Sequence, residues 1–225
     1  ANAGAAYLFN GETGSLLQTF TNPTPGNGDY FGWDVAARGS DVLIGAPYDD
    51  SDAVNTGSAY LFDGNSGSLL QTFTKPGAAA GDVFGNSIIS VGNDVLIGSY
   101  YSEIDGITDA GAAYFFDGDD GTLIHAFENP DPTASDYFGA DVAALCRSPV
   151  ISAFYDDAAG SNTGSIYVFE GEKASDISPM AGLTELSVLS MARQHIDDIL
   201  PIAAMDSLGY LYLHDNRIPE MDTLL

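Results

Sequence analysis

The residues with most chemical potential in this 225-residue chain are carboxylates gathered on short loops. Three such loops follow apolar runs at equivalent places. They are Tyr48-Asp49-Asp50-Ser51-Asp52 leading to Asn55, Tyr101-Ser102-Glu103-Ile104-Asp105 leading to Asp109, and Tyr155-Asp156-Asp157 leading to Asn162. Clustered carboxylate and amide oxygens are what Ca²⁺ needs, because it takes about six to eight oxygen ligands. Asp49, Asp50, Asp52, Asp156 and Asp157 are therefore the candidate calcium ligands. The alternative is a solvated acidic loop that keeps sheet edges from pairing. Asp117-Gly118-Asp119-Asp120-Gly121 copies half of an EF-hand, but Asn10-Gly11-Glu12-Thr13-Gly14 and Asp63-Gly64-Asn65-Ser66-Gly67 stand at the same phase. Their glycines identify a hairpin turn rather than a metal loop. Asp29, Asp82 and Asp136 each precede a Phe-Gly pair by two residues, a recurrence that assigns them to accepting backbone N–H groups in a turn.

Catalytic groups are sparse. His125, His195 and His214 are the only histidines, and none belongs to a metal-protease spacing. Gly64-Asn65-Ser66-Gly67 lacks the nucleophile-elbow spacing. Cys146 is the only cysteine, so no intrachain disulfide forms, and Arg147 beside it does not supply a catalytic histidine. Carboxylate pairs for glycoside hydrolysis are so numerous that no one pair is singled out. The expectation is a protein without catalytic residues, with calcium as its one candidate cofactor. Six basic against 32 acidic residues give a formal net charge of -26, which repels phosphate backbones and anionic lipid and favours cations and basic partners. No apolar run approaches the ~20 residues that cross a bilayer.

These residues sit in a repeat. AGAAYLFNGETGSLLQTF at 3–20 returns as TGSAYLFDGNSGSLLQTF at 56–73 and AGAAYFFDGDDGTLIHAF at 110–127, and its first half returns as TGSIYVFEGE at 163–172. The starts at Ala3, Thr56, Ala110 and Thr163 are 53, 54 and 53 residues apart. Each copy alternates apolar and polar residues around a Gly-bracketed turn, the pattern of a β-hairpin. Between hairpins, Phe31–Ala37 and Asp41–Pro47 supply two further strands, so each period carries four. Four antiparallel strands per repeat is the pattern of a β-propeller blade, and one blade cannot bury both faces alone. Pro149 stands where the first copy has Val42 and removes a ladder donor, so the third copy should be less regular. Trp33, Tyr48, Tyr101 and Tyr155 are of types that line binding faces, and their recurrence assigns them to blade packing.

Phe31-Gly32 with Gly45-Ala46-Pro47, followed by Phe84-Gly85 and Phe138-Gly139, resembles the FG-GAP repeats of integrin α-chain propellers and bacterial surface proteins. The resemblance covers about residues 1–170. It implies blades that bind proteins or glycans outside the cell. The integrin-type calcium loop DxDxDG is replaced here by Ala37-Arg38-Gly39-Ser40, Val91-Gly92-Asn93 and Leu145-Cys146-Arg147.

From Glu172 the pattern changes. ASDISPMAGLTELSVLSMARQHI is followed 22 residues later by DDILPIAAMDSLGYLYLHDNRI. Leu183, Leu186, Leu189, Met191 and Ile196 map onto Met205, Leu208, Leu211, Leu213 and Ile218. This resembles leucine-rich repeats of the internalin type, with Asn216 at the ladder position and Gln194 departing from it. It implies one short strand per repeat, at Val188–Met191 and Tyr210–Leu213, leaning on the last blade; an amphipathic helix over Leu183–Leu200 is the alternative.

The reading is an all-β chain. Residues 1–172 form a partial β-propeller of about three and a half four-stranded blades, and residues 173–225 begin a short leucine-rich-repeat (α/β solenoid) segment. Its expected role is a non-catalytic extracellular or cell-surface binding and adhesion module for protein or glycan partners. The alternatives are an accessory propeller of a larger secreted hydrolase and a structural spacer. Ala1 falls inside a repeat and the last residues stop mid-pattern, as in a fragment of a longer protein.

Overall fold

The computed structural model describes residues 3–145, 147–158, 160–169, 188–191 and 210–212, and among them there are fifteen strands and no helix. The first hairpin is β1 (Ala5–Phe9) and β2 (Leu16–Thr21), a two-stranded sheet. The first full blade orders β3 (Val35–Arg38), β4 (Asp41–Ala46), β5 (Ser58–Asp63) and β6 (Leu69–Phe73) side by side, all antiparallel. The second repeats this with β7 (Ile88–Val91), β8 (Asp94–Ser99), β9 (Ala112–Phe116) and β10 (Leu123–Glu128). The third begins in the same way with β11 (Phe138–Leu145), β12 (Ser148–Ala153) and β13 (Ser165–Val168). In place of an antiparallel fourth strand it adds β14 (Val188–Met191) and β15 (Tyr210–Tyr212), both parallel. β14 and β15 pair Val188 with Tyr210 and Leu189 with Leu211, a constant offset of 22 residues.

The core lies between blades, not within them. Leu43, Leu61 and Phe73 from the first blade meet Phe84, Ile97 and Phe116 from the second in one buried cluster. Leu96 and Phe127 meet Phe138, Ile151 and Tyr167 between the second and third. Phe20 packs with Phe31, Ile44 and Phe62 between the first hairpin and first blade. Each blade buries both faces only by stacking, as repeat architectures require. Close approach is set by glycine: a Cβ on Gly45 would lie 2.2 Å from the Gly85 carbonyl oxygen, and one on Gly98 would lie 2.2 Å from that of Gly139. At the opposite end Arg38 reaches into the second blade, donating from Nε to the Asn93 carbonyl at 2.5 Å and pairing with Asp119.

The first inner strand begins at Val35, where alternation alone starts it at Phe31. The backbone explains the difference, because Tyr30 (φ 53°) and Gly32 (φ 90°) are left-handed and turn the chain before it can pair. Phe31 instead makes an isolated parallel bridge to Gly4, as Phe138 does to Gly111. The expected irregularity at Pro149 does not occur: Ala144 pairs with Pro149 in regular register, and the inner pair shifts only between Phe138 and Val142. β12 runs through Pro149, whose carbonyl accepts the Phe169 N–H at 2.9 Å. Cys146, Gln194, His195, His214 and Asn216, and most of the expected leucine-rich segment, lie outside the described residues.

Candidate binding face at the loop end of the blades

At one end of each blade, the turn before Phe-Gly and the loop after the second strand are tied together by a buried polar box. Asn22, just after β2, donates from Nδ2 to Asp29 Oδ2 at 2.7 Å and to Asp49 Oδ2 at 3.2 Å. Tyr60 on β5 donates its hydroxyl to the same Asp49 oxygen at 2.7 Å. The Gly26 N–H donates to Asp29, and the Ser51 N–H to Asp49 at 2.9 Å. The third blade repeats the box residue for residue: Asn129 bridges Asp136 (2.8 Å) and Asp156 (2.9 Å), and Tyr167 donates to Asp156. All four aspartates are buried.

The second blade solves the same problem with other residues. Lys75 stands where Asn22 and Asn129 do, and Ser102 where Asp49 and Asp156 do. The Lys75 ammonium pairs with Asp82 at 3.2 Å with both side chains buried, and lies 5.9 Å from the centre of the Tyr114 ring. One carboxylate with an ammonium replaces two carboxylates bridged by an amide. Sequence reasoning took Asp29, Asp82 and Asp136 correctly as turn acceptors, each receiving the N–H three residues back. It missed the asparagine, lysine and tyrosines of the box; their signal was the X-Pro step at Asn22-Pro23, Lys75-Pro76 and Asn129-Pro130 in phase with Tyr60, Tyr114 and Tyr167.

Burial pushes the Tyr60 hydroxyl up to about 12, helped by the neighbouring Asp49 charge and opposed by the bond to Thr24. Burial pushes Tyr114 up to about 12 as well. The Asp136 carboxyl is raised chiefly by burial and then by the Asp156 and Asp157 charges, against the two Thr133 hydrogen bonds that lower it.

Above the boxes the loops carry rings. Tyr30, Trp33 and Tyr48 meet edge to face with centroids 5.3 to 6.1 Å apart. A second group joins Tyr100, Tyr101, Tyr137, Phe154 and Tyr155, with Tyr137 at its centre, 5.2 Å from Phe154 and 5.5 Å from Tyr155. The two groups adjoin: Tyr100 is held well above the usual tyrosine range by burial first, and also by Tyr101, Tyr48 and Tyr137. Trp33 is 56% exposed, and Tyr30, Tyr101, Phe154 and Tyr155 are exposed too, whereas Tyr48 is half-buried; the Tyr101 ring still meets Tyr137 of the next blade, so these rings combine exposed surface with contact between blades. Tyr30 and Tyr137 both hold left-handed backbone, a cost carried at the loop tips.

The five candidate calcium ligands are divided among other tasks. Asp49 and Asp156 point into the boxes, where protein donors occupy both oxygens of each. Asp50 accepts the Asn55 N–H at 2.7 Å and Asp157 the Asn162 N–H at 2.5 Å, closing their loops. Asp52 is exposed. Among the described residues no three His, Cys, Asp or Glu side chains gather as a metal cage. The Asp117 turn is the Asx turn its siblings foretold, with Oδ1 accepting the Asp119 N–H at 2.8 Å. His125 lies exposed on β10 against Phe127.

The model of the FG-GAP repeat matches residues 18–62, 68–116 and 126–169. No curated protein matches the chain significantly. Solved structures with similar folds include BamB from Moraxella catarrhalis, 15% identical with a TM-score of 0.42, over 68% of this chain and 37% of that one. The WD40 repeats of RRP9 are 15% identical with a TM-score of 0.48, over 70% of this chain and 41% of that one. The computationally designed Ika4 protein is 14% identical with a TM-score of 0.47, over 75% of this chain and 82% of that one. The chain thus spans well under half the length of the BamB and RRP9 chains it resembles.

Proposed function

The chain belongs to the FG-GAP repeat family, and from that premise we propose that it is a non-catalytic binding module that engages protein or glycan partners outside the cell. The observation that carries the reading is the aromatic face on the loop end, eight rings from adjacent blades, five of them exposed, with acidic loops around them. Tyrosine and tryptophan supply large, stiff contact area with few rotamers to freeze, which is why they dominate binding hot spots. The acidic rim and net charge of -26 select against nucleic acid and anionic polymers and for neutral or basic partners. The boxes beneath hold the loops still, so the face needs little ordering on contact.

This reading does not depend on calcium: Asp49, Asp50, Asp156 and Asp157 are held by protein donors. Residues 173–225 are read as a leucine-rich-repeat segment continuing from the last blade; the 22-residue offset between β14 and β15 supports that.

The test is an array of neutral, amino and acidic glycans together with extracellular matrix proteins, probed with the whole chain and with Trp33→Ala/Tyr155→Ala. Binding to neutral or basic members that falls at least about tenfold in the variant, with its melting temperature kept, is expected. Binding that the double substitution leaves unchanged would remove the aromatic face from the account.

A further inference from the structure

Four Asp-Gly steps occur in the chain, at Asp63-Gly64, Asp105-Gly106, Asp117-Gly118 and Asp120-Gly121. At such a step the backbone nitrogen can attack the preceding side-chain carboxyl, because glycine puts no side chain in the way. Three of the four are tied down. Asp63 Oδ1 accepts the Asn65 N–H at 2.9 Å and the Ser66 N–H at 2.6 Å. Asp117 Oδ1 accepts those of Asp119 and Asp120 at 2.8 and 3.2 Å, and Asp120 Oδ1 accepts that of Thr122 at 2.9 Å. In two of them the attacking nitrogen is engaged as well. The Gly118 N–H serves the Asp94 carboxylate, and the Gly121 N–H donates to the Asp117 carbonyl at 2.9 Å. Turning any of these carboxyls onto its neighbour's nitrogen costs hydrogen bonds already made.

Asp105-Gly106 has no such restraint. Ile107 donates to the Ile104 carbonyl at 2.8 Å and Ile104 to that of Ile107 at 3.2 Å. Between them Asp105 (φ 51°) and Gly106 (φ 82°) are the two left-handed residues of a tight hairpin turn. Both are exposed, and among the described residues the Asp105 carboxylate accepts no hydrogen bond and the Gly106 N–H donates none. The turn belongs to the second blade, which has described strands on either side of it.

We propose that Asp105-Gly106 is a modification site, at which the chain converts to isoaspartate without an enzyme. The Gly106 nitrogen forms a bond to Asp105 Cγ, and its proton leaves with the carboxyl hydroxyl as water, which closes a succinimide ring. Water then adds to the Asp105 backbone carbonyl carbon and the bond from that carbon to the Gly106 nitrogen breaks. Gly106 stays joined through the former side-chain carbonyl, and a free α-carboxylate replaces the side-chain one. Mass and charge are unchanged, but the main chain is longer by a methylene. A turn this tight cannot take an extra backbone atom and keep both Ile104–Ile107 hydrogen bonds. Ile104 packs against the core between the first and second blades, so the change is felt beyond the loop tip. The site is independent of the partner proposed for the aromatic face.

The test ages the whole chain in warm neutral buffer, folded and in urea, and then digests it unfolded with an endoproteinase that cuts before aspartate but not before isoaspartate. In the folded chain the cut before Asp105 is expected to fade at unchanged mass while those before Asp63, Asp117 and Asp120 persist; in urea all four should fade together. Asp105→Gly suits a left-handed turn position and removes the carboxyl. Amide exchange at Ile107 should quicken on ageing of the native chain and stay slow in that variant. A cut before Asp105 that matches or outlasts the other three in the folded chain, or Ile107 exchange that quickens equally in the variant, would overturn the proposal.

Discussion

Lys75 is the most informative single side chain in the blades. Its ammonium neutralises the buried Asp82 carboxylate, so Lys75→Asn leaves a buried charge with less support and should cost about 3 kcal/mol. Adding Ser102→Asp gives the second blade the residue set of its neighbours, in which one amide bridges two carboxylates, as Asn129 does. Equilibrium urea unfolding of both single variants and the double should therefore show coupling of at least ~1 kcal/mol in favour of the pair. Additive losses would mean that the box residues act independently. The boxes also set a pH dependence. Tyr60 and Tyr114 titrate near 10.0 when unfolded and are pushed up to about 12 in the fold. Between those values the folded state holds more protons than the unfolded one, so their contribution is full below pH 10.0 and is lost as pH rises towards about 12. Urea midpoints at about pH 9 and about pH 11 measure that fall, and Tyr60→Phe should make it shallower.

At the scale of strands, the fold was legible wherever the repeat was intact. Three hairpin copies at intervals of 53 and 54 residues fixed the turn chemistry and the sheet faces, since glycine turns and period-2 alternation are local properties. The left-handed Tyr30 and Val83 were not legible, because nothing in a tyrosine or valine announces a positive φ; it accompanies the hydrogen bonds from Phe31 to Ala3 and from Phe84 to Thr56, just before the preceding hairpin. Nor was the use of the loop carboxylates. Asp49 and Asp50 are adjacent and chemically alike, yet one points into a box and the other closes a loop, a distinction that partners distant in sequence decide. For the aromatic residues the same limit holds: recurrence marks a position as architectural but does not say how much of the ring faces water. Packing at this scale makes its own prediction. Gly98 has an ordinary backbone conformation, so only space forbids a side chain there, and that space is filled by the Gly139 carbonyl. Gly98→Val should push the second and third blades apart and cost about 3 kcal/mol or more, whereas the same change at the open turn residue Gly11 should cost little. Thermal unfolding of the two variants side by side checks this.

Over the whole molecule, blades stacked face to face carry boxes at one end, and the boxes hold loops whose rings face outward. The basic residues Arg38, Lys75 and Arg147 of the described blades all have partners within the protein. Two ring groups on neighbouring blades then form one surface only if a single partner spans both. Trp33, the only tryptophan, belongs to one group, and Tyr155 belongs to the other. The most direct measurement is Trp33 emission during titration with the strongest-binding member of the glycan and protein array, in the native chain and in Tyr155→Ala. The account predicts a saturable shift in the native chain and a weaker, right-shifted curve in the variant, although Tyr155 lies in the other ring group. A partner that binds while Trp33 emission stays still would place recognition elsewhere on the molecule and contradict it.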